Sequence, residues 1–575
     1  MTIKPILILS AVATAAFVVG CRTPAPSAAA DTIYLGGDII TVNDAQPSVE
    51  AVAVRDGKIL AVGTRSEIDR AYKGPNTTVV DLAGKTLAPG FLDPHSHYIS
   101  SLTVANQVNV YAPPAGPGKD IPSIVTALKR FRDEHEIPKG ALIQAYGYDE
   151  NAMPNGVGLG RDDLDADFPD NPVMVGHVSM HGAVLNSAAM EKYGISAKTK
   201  TPPGGIILRK PGSNEPAGLL MEMAYLPIFA SLPKPSAEQE VAWSRAGQLL
   251  YAAAGITTAH EGATHAAELA LMQRVAAAGA NIIDVIAYPF VTDFDAVLEK
   301  NPPGTWGHYV DRLKIGGAKI TLDGSVQGKT AYFTTPYLTG GPGGEKNWRG
   351  EPTMPQAELD QLFKRVYDLN VPLLVHDNGD AAIDMVLKAY AFARAGDTTR
   401  PWNVTTIHTQ FLRKDQIPAF VKNRIRPSFY TLHTFYFATA HTSNRGAAQA
   451  AYLSPMRDAI DAGMHPTNHT DFYVAPLDQL FMMWSAVNRV SREGGVVGPD
   501  QRITPLEAIK SQTIWAAEQY GEQDRRGSLE PGKIADLVIL DQNPLTVDPM
   551  TIKDIKVLET IKEGTTVYTR TPSAP

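Results

Sequence analysis

Cysteine is all but absent: the 575-residue chain holds one, Cys21. A monomer therefore has no disulfide, and the body beyond that residue has neither a thiolate nucleophile nor a cysteine metal ligand. Excess positive charge is missing too. Lys and Arg total 52 against 60 Asp and Glu, for a formal net charge of -8, so the clustered cations that nucleic-acid phosphates demand are not favoured. Long apolar runs are scarce. The one near membrane interest, from Pro5 to Val19, is shorter than the ~20 residues a bilayer-spanning helix needs.

That run has Lys4 ahead of it and Gly20-Cys21 behind it, the order of a secretion signal. Val18-Val19-Gly20-Cys21 resembles a bacterial lipoprotein cleavage box, which implies a signal peptide over 1–20 and a lipid on Cys21. An uncleaved anchor or an ordinary cleaved signal are the alternatives. Residues 21–30 then read as a flexible tether. The expectation is a periplasm-facing lipoprotein of the bacterial cell envelope, held to the membrane only through its N-terminal lipid. Its expected partner is a small molecule, with homo-oligomers left open.

What is present is globular in composition, at 44% hydrophobic and 19% charged residues, and too long for one ordinary domain. From Asp31 to about Lys85 short β runs alternate with turns, and Arg55-Asp56-Gly57-Lys58 between two apolar runs predicts a hairpin. The last segment mirrors this pattern, in GSLEPGKIADLVILD and IKVLETIKEGTTVYT. Neither end alone holds enough apolar area for a core, so residues 31–88 and 527–575 are predicted to build one small β-sandwich together. No internal repeat is evident.

In between, runs such as NIIDVIAY (281–288), LKIGGAKI (313–320), VPLLVH (371–376) and NVTTIHT (403–409) alternate with amphipathic stretches such as AAELALMQRVAAAG and PQAELDQLFKRVYDLN. Buried β-branched runs separated by helices predict parallel β/α construction. Residues 89–526 exceed the ~250 of a closed barrel, so the fold class predicted is α/β, a TIM-like (β/α)₈ barrel with a large insertion at about 100–240.

His95 and His97 lie in GFLDPHSHY at the end of a strand-like run, where a two-residue spacing on a strand puts both imidazoles on one face. His376 closes VPLLVH and His408 closes NVTTIH. One histidine at a strand end is ordinary. Four, at the end where barrel active sites collect, suit zinc or a similar divalent ion. Asp471, in GMHPTNHTDFYVAP, can ligate metal and accept a proton, or else cap a helix, and His465 and His469 are rival ligands in the same loop. Lys319 sits at the same end as either a salt-bridged lysine or one whose charge has been removed.

The segments KTLAPGFLDPHSHY, GAKITLDGS, VPLLVHDNGDAAIDMVLKAY, IHTQFL, HTDFYVAPLDQLFMMWSAVNR and GSLEPGKIADLVILD resemble the amidohydrolase superfamily. More narrowly they resemble its family 3, the branch with N-substituted formamide deformylases, over nearly all of residues 31–570. The resemblance implies two metal ions, zinc by default: His95, His97 and Asp471 on one, His376 and His408 on the other, and carboxylated Lys319 bridging them. It further implies an amidohydrolase cleaving a C–N bond of the amide type, as in N-formyl or N-acyl amines, through metal-activated hydroxide, with Asp471 carrying the proton. Asp323, which follows the lysine as the family's Asp-Gly does, is expected near the substrate. His181 and His433 are further expected substrate contacts. Glu222 is a weaker one, and Tyr430, Phe435, Tyr436 and Phe437 are a pocket wall or ordinary core. His-Thr-Asp at 469–471 stands where many relatives have Ser-Asp, which leaves the role of His469 open. A lactonase or esterase on the same barrel is the alternative chemistry. A non-catalytic binding lipoprotein is disfavoured, because every ligand position supplied by the resemblance is filled.

Overall fold

The buried runs in the middle of the chain become eight parallel strands: β1 (Phe91–Leu92), β2 (Ile256–Thr264), β3 (Asp284–Pro289), β4 (Leu313–Ile315, resuming at Ala318–Thr321), β5 (Leu373–Asp377), β6 (Val404–His408), β7 (Arg426–Phe429) and β8 (Thr467–Asn468). This is a computed structural model, and it describes residues 29–571 apart from 151, 152, 155, 156, 178–181, 204, 233, 234, 343 and 344. Strands β1 to β3 and the first half of β4 form one parallel array, and the second half of β4 continues through β5, β6, β7 and β8. A parallel bridge from Phe290 to Lys319 joins the two arrays. Across the remaining seam the His97 amide donates to the Phe472 carbonyl (2.7 Å) and the Asp471 amide to that of His95 (3.2 Å). The result is a TIM-like (β/α)₈ barrel.

The break inside β4 has a steric cause. A Cβ on Gly316 would lie 2.6 Å from Ile286, and one on Gly317 would lie 2.4 Å from the Pro372 carbonyl. Neighbouring strands press in from both sides, and only glycine leaves room. The helices follow their apolar spacing: Gln356–Asp368 buries Leu359, Phe363, Val366 and Tyr367, which lie along one face at helical spacing.

The chain ends lie together. Strands Thr32–Leu35, Ala51–Arg55, Lys58–Gly63 and Thr78–Asp81 form a four-stranded sheet. A second sheet pairs Thr86–Pro89 antiparallel with Leu537–Leu540, which in turn pairs with Val557–Lys562. Tyr34, Val52, Leu87, Leu537 and Ile561 share one apolar core. Asp56 (φ 49°) and Gly57 (φ 72°) make the hairpin turn, with the paired positive φ that suits the twist of a two-residue loop.

Between β1 and β2 the chain leaves the barrel to build a six-stranded sheet from Val108–Asn109, Ile143–Tyr148, Val173–His177, Gly182–Leu185, Gly205–Arg209 and Pro216–Glu222. Apolar clusters of its own, around Leu128, Phe168 and Val175 and around Met174, Leu185 and Met190, support it. Among the described residues no helix is long and apolar enough to cross a membrane.

Candidate metal centre

Pro94 has no amide hydrogen to extend the β1 ladder, so the strand ends at Leu92 and His95 and His97 stand in the loop just past it. This differs from the same-face strand geometry predicted from their spacing. Their rings are nevertheless brought together, 5.3 Å apart between centroids. Buried hydrogen bonds fix the loop: Ser96 Oγ contacts the Asp93 carboxylate, lies 2.7 Å from the Tyr251 hydroxyl and donates to the His260 carbonyl at 2.9 Å.

Asp471 Oδ1 lies 3.4 Å from Nε2 of both His95 and His97. These three residues offer ligand atoms that all fall within 4.8 Å of one another. The second oxygen of Asp471 is 3.8 Å from His408 Nε2, and the rings of His408 and His376 are 4.6 Å apart. Asp471 thus joins the first expected ligand group to His408 of the second, with His376 beside His408. His408 (φ 70°) and Asp471 (φ 52°) hold left-handed backbone angles, strain of roughly 1–3 kcal/mol each that tends to persist at functional sites.

Burial pushes the pKa of His95, His260 and His408 well below the ordinary histidine range, and those of His376 and His469 down to about 3. Neutral imidazoles with free lone pairs are the metal-binding form. At His97 burial acts in the same direction, but the Asp471 and Glu261 carboxylates outweigh it and push the pKa up to about 10. For Asp471, burial favours protonation, yet His408 and His97 hold its pKa well below the usual carboxylate range. Lys319 is 2% exposed, and burial lowers its pKa to about 8 against the opposing pull of Asp471, Asp377 and Glu261. Among the described residues no carboxylate comes within ion-pairing distance of its Nζ.

The donor set fits a cation by its unmet bonding. His95 Nδ1, His260 Nε2, Asp377 Oδ2 and Asp471 Oδ1 are buried with no hydrogen-bond partner among the described residues. Each such atom costs roughly 1–3 kcal/mol if left unsatisfied. Clustered imidazole nitrogens and a carboxylate oxygen suit a divalent transition metal.

The rival histidines separate cleanly. His469 is buried, with Nδ1 2.9 Å from Ser428 Oγ and Nε2 3.2 Å from His408 Nδ1, so it orients His408. His465 is half exposed, pairs with Glu518 at 2.8 Å and stacks on Trp515, away from the cluster. Asp323 is 1% exposed. Its carboxylate accepts the amides of Tyr332 (2.9 Å), Asn378 (2.9 Å) and Gly379 (2.8 Å) and faces His376 Nε2 at 3.7 Å. That geometry positions the His376 loop.

The His433 ring is 6.0 Å from that of His408 and 4.4 Å from Tyr430. Phe435 packs on Phe481 and Trp484 as core, next to Tyr436. Phe437 packs against His433 and His441. Glu222 ends the last strand of the inserted sheet. His181 and Cys21 lie outside the described residues.

Sequence reasoning missed His260, Glu261 and Asp93. His260 Nδ1 is 3.4 Å from the Ser96 backbone and its ring is 5.1 Å from that of His95, while Glu261 is buried 3.8 Å from His97. A signal was available: Ile256-Thr257-Thr258-Ala259-His260 has the same form as Val404-Thr405-Thr406-Ile407-His408.

A family model described as "Amidohydrolase family" matches residues 78–568. The N-substituted formamide deformylase of Arthrobacter pascens is 27% identical over 94% of this chain and 99% of its own length. The putative amidohydrolase YtcJ of Bacillus subtilis is 28% identical over 93% of this chain and 99% of its own. Among solved structures, an uncharacterized metal-dependent hydrolase from Pyrococcus horikoshii superposes with a TM-score of 0.69 at 22% identity, covering 90% of this chain and 99% of that one. At that identity the likeness is one of fold.

Proposed function

Because the chain belongs to the amidohydrolase family, we propose that it is a metal-dependent hydrolase of a C–N bond other than a peptide bond, with N-formyl and N-acyl amines as its substrate class. The observation that carries this reading is the meeting of His95, His97 and His408 at Asp471, with His376 beside them. In this reading His95, His97 and Asp471 would hold one zinc ion, His376 and His408 would hold a second, and carboxylated Lys319 would supply a further anionic ligand. Divalent ions so held polarise a carbonyl oxygen and acidify water.

The chain's own residues do the rest. Asp471, kept anionic by His408 and His97, takes the proton of the attacking water and delivers it to the departing nitrogen. A carboxylic acid and an amine result. Asp323 and Asn378, whose amide nitrogen lies 3.0 Å from His376 Nε2, fix one imidazole, and His469 fixes another. Lys319 with a pKa of about 8 is partly neutral at pH 7. Its neutral amine forms an N–C bond to CO₂ and releases one proton, so a buried cation becomes an anion among metal ligands.

Metal analysis of purified protein should find about two ions per chain, and a hydrolysis screen across N-formyl amines, N-acyl amines, cyclic amides, aryl amides and lactones should give turnover of amides. A metal content near zero after supplementation, or turnover of lactones alone, overturns the proposal. The same reading proposes a lipoprotein of the bacterial envelope, supported by the order Lys4, apolar run, Gly20-Cys21 in the sequence. Metabolic labelling with palmitate should mark the wild type and leave Cys21→Ser unlabelled.

A further inference from the structure

A cavity of about 290 Å³ opens between the barrel and the inserted sheet. Its barrel side is built by the two segments that carry ligands: the helix Tyr98–Val104, which starts directly after His97, and Tyr473, two residues past Asp471. Its far side is the inserted sheet, through Gln144 and Tyr146, closed by Phe229 from the helix Leu226–Ala230. We propose that this cavity receives one substituent of the scissile amide and selects an uncharged aryl group. The inference rests on the amide-hydrolase reading above and names the substrate class within it.

Three features point to an aromatic guest. Rings already line the space, with Tyr111 and Tyr146 edge to face at 5.6 Å, and a further ring gains both burial and the same edge-to-face contact. The wall is made flat on purpose by Gly147: its φ is +89°, and a Cβ there would lie 2.6 Å from the Tyr111 ring. Tyr111 therefore lies against bare backbone, and its hydroxyl donates to the Tyr473 carbonyl at 3.2 Å, which ties this wall to the loop holding Asp471. Among the described residues lining the cavity none is Asp, Glu, Lys or Arg, and the one titratable ring there besides tyrosine, His177, is already paired with the Glu150 carboxylate. A charged substituent would lose its water there without meeting an opposite charge. A polar pair also faces the space: Gln107 Nε2 donates to Gln144 Oε1 at 2.9 Å, and an amide pair joined by one bond keeps a donor and an acceptor for a guest.

The test uses the metal-replete full chain and amides that share one scissile group but carry phenyl, butyl, carboxylate or ammonium ends of like length. kcat/KM should be highest for phenyl, by roughly 10–100-fold over either charged end. Tyr146→Ala and the exposed-side Phe229→Ala should shrink that advantage chiefly through KM. Gln144→Glu should raise the ammonium-bearing amide relative to phenyl. Equal kcat/KM for phenyl and charged ends, or a phenyl preference that none of the three variants moves, overturns the proposal. Calorimetric binding of 2-phenylethanol separates this proposal from the reading beneath it. Binding lost in Tyr146→Ala supports the cavity even where no amide is turned over, and that failure would count against the hydrolase reading alone. Absence of binding to the wild type overturns the cavity assignment.

Discussion

At the N-terminal end of the barrel strands, Asp284 lies 2.8 Å from Arg526 and 2.7 Å from Lys562; Lys562 also reaches Asp536 at 2.8 Å, Arg526 reaches Glu522 at 3.0 Å, and Lys314 contacts Glu522. At the C-terminal end, Asp471 and His95 face each other at 3.4 Å without a hydrogen bond, and His260 Nε2 and Asp377 Oδ2 have no partner among the described residues. Both ends bury several titratable groups. At the first, each charge has an opposite charge in reach, and the network clamps the C-terminal strand carrying Lys562 onto β3 and β4. At the second, backbone strain and secondary hydrogen bonds hold donors in place while leaving their ligand atoms free. A buried cluster whose charges pair with one another is structural, and one whose imidazole and carboxylate ligand atoms stay unpaired is shaped for something it binds.

The largest expected effect tests the open end. Asp471→Asn keeps the shape but removes the proton acceptor, and kcat should fall roughly 10²–10⁴-fold, measured by steady-state kinetics with the folded state checked by circular dichroism. Unchanged kcat would erase the functional half of the comparison. At the closed end Arg526→Met leaves Asp284 and Glu522 buried beside a neutral side chain, and should cost about 3–5 kcal/mol of stability in urea unfolding while the folded protein keeps its metal content.

Removing metal with a chelator should lower stability by about 2.7 kcal/mol for each ion lost if the working free-metal concentration is 100 times the dissociation constant. The same loss should appear in Arg526→Met, since the two ends do not share ligands. A chelator effect that disappears in Arg526→Met would show the ends to be coupled.

The smallest effect is in pH. Burial favours the protonated form of Asp284, but Lys562 and Arg526 outweigh it and hold its pKa well below the usual range. A depressed carboxylate contributes its full stability above the unfolded value of about 3.9 and loses it as pH falls through the folded value. Acid unfolding should therefore be shallower below pH ~4 in Asp284→Asn than in wild type, read by fluorescence; identical acid limbs would remove Asp284 from the clamp.

Local chemistry was legible where the chain repeats a local rule. Strand runs ending in His376 and His408 were readable because a β-branched run needs only its own residues to predict a strand, and the Asp56-Gly57 turn because positive φ is a property of two residues. His260 was less legible, although its run has the same form, because nothing in Glu261-Gly262 resembles a known site. The ion network was invisible, since its members come from β3, β4, the segment after the last barrel helix and the C-terminal strand, separated by up to 278 residues.

By itself the sequence determined the class of construction, the histidines at strand ends and the absence of thiol chemistry, because periodicity and composition are local quantities. Only the tertiary structure decided that His469 supports His408 while His465 faces away, and that Asp323 turns to backbone amides. It also decided that the insertion and the helix after His97 enclose a ring-lined cavity with no Asp, Glu, Lys or Arg among its described lining residues. These outcomes depend on which distant segments share one small volume, and close packing, which no local pattern encodes, sets that.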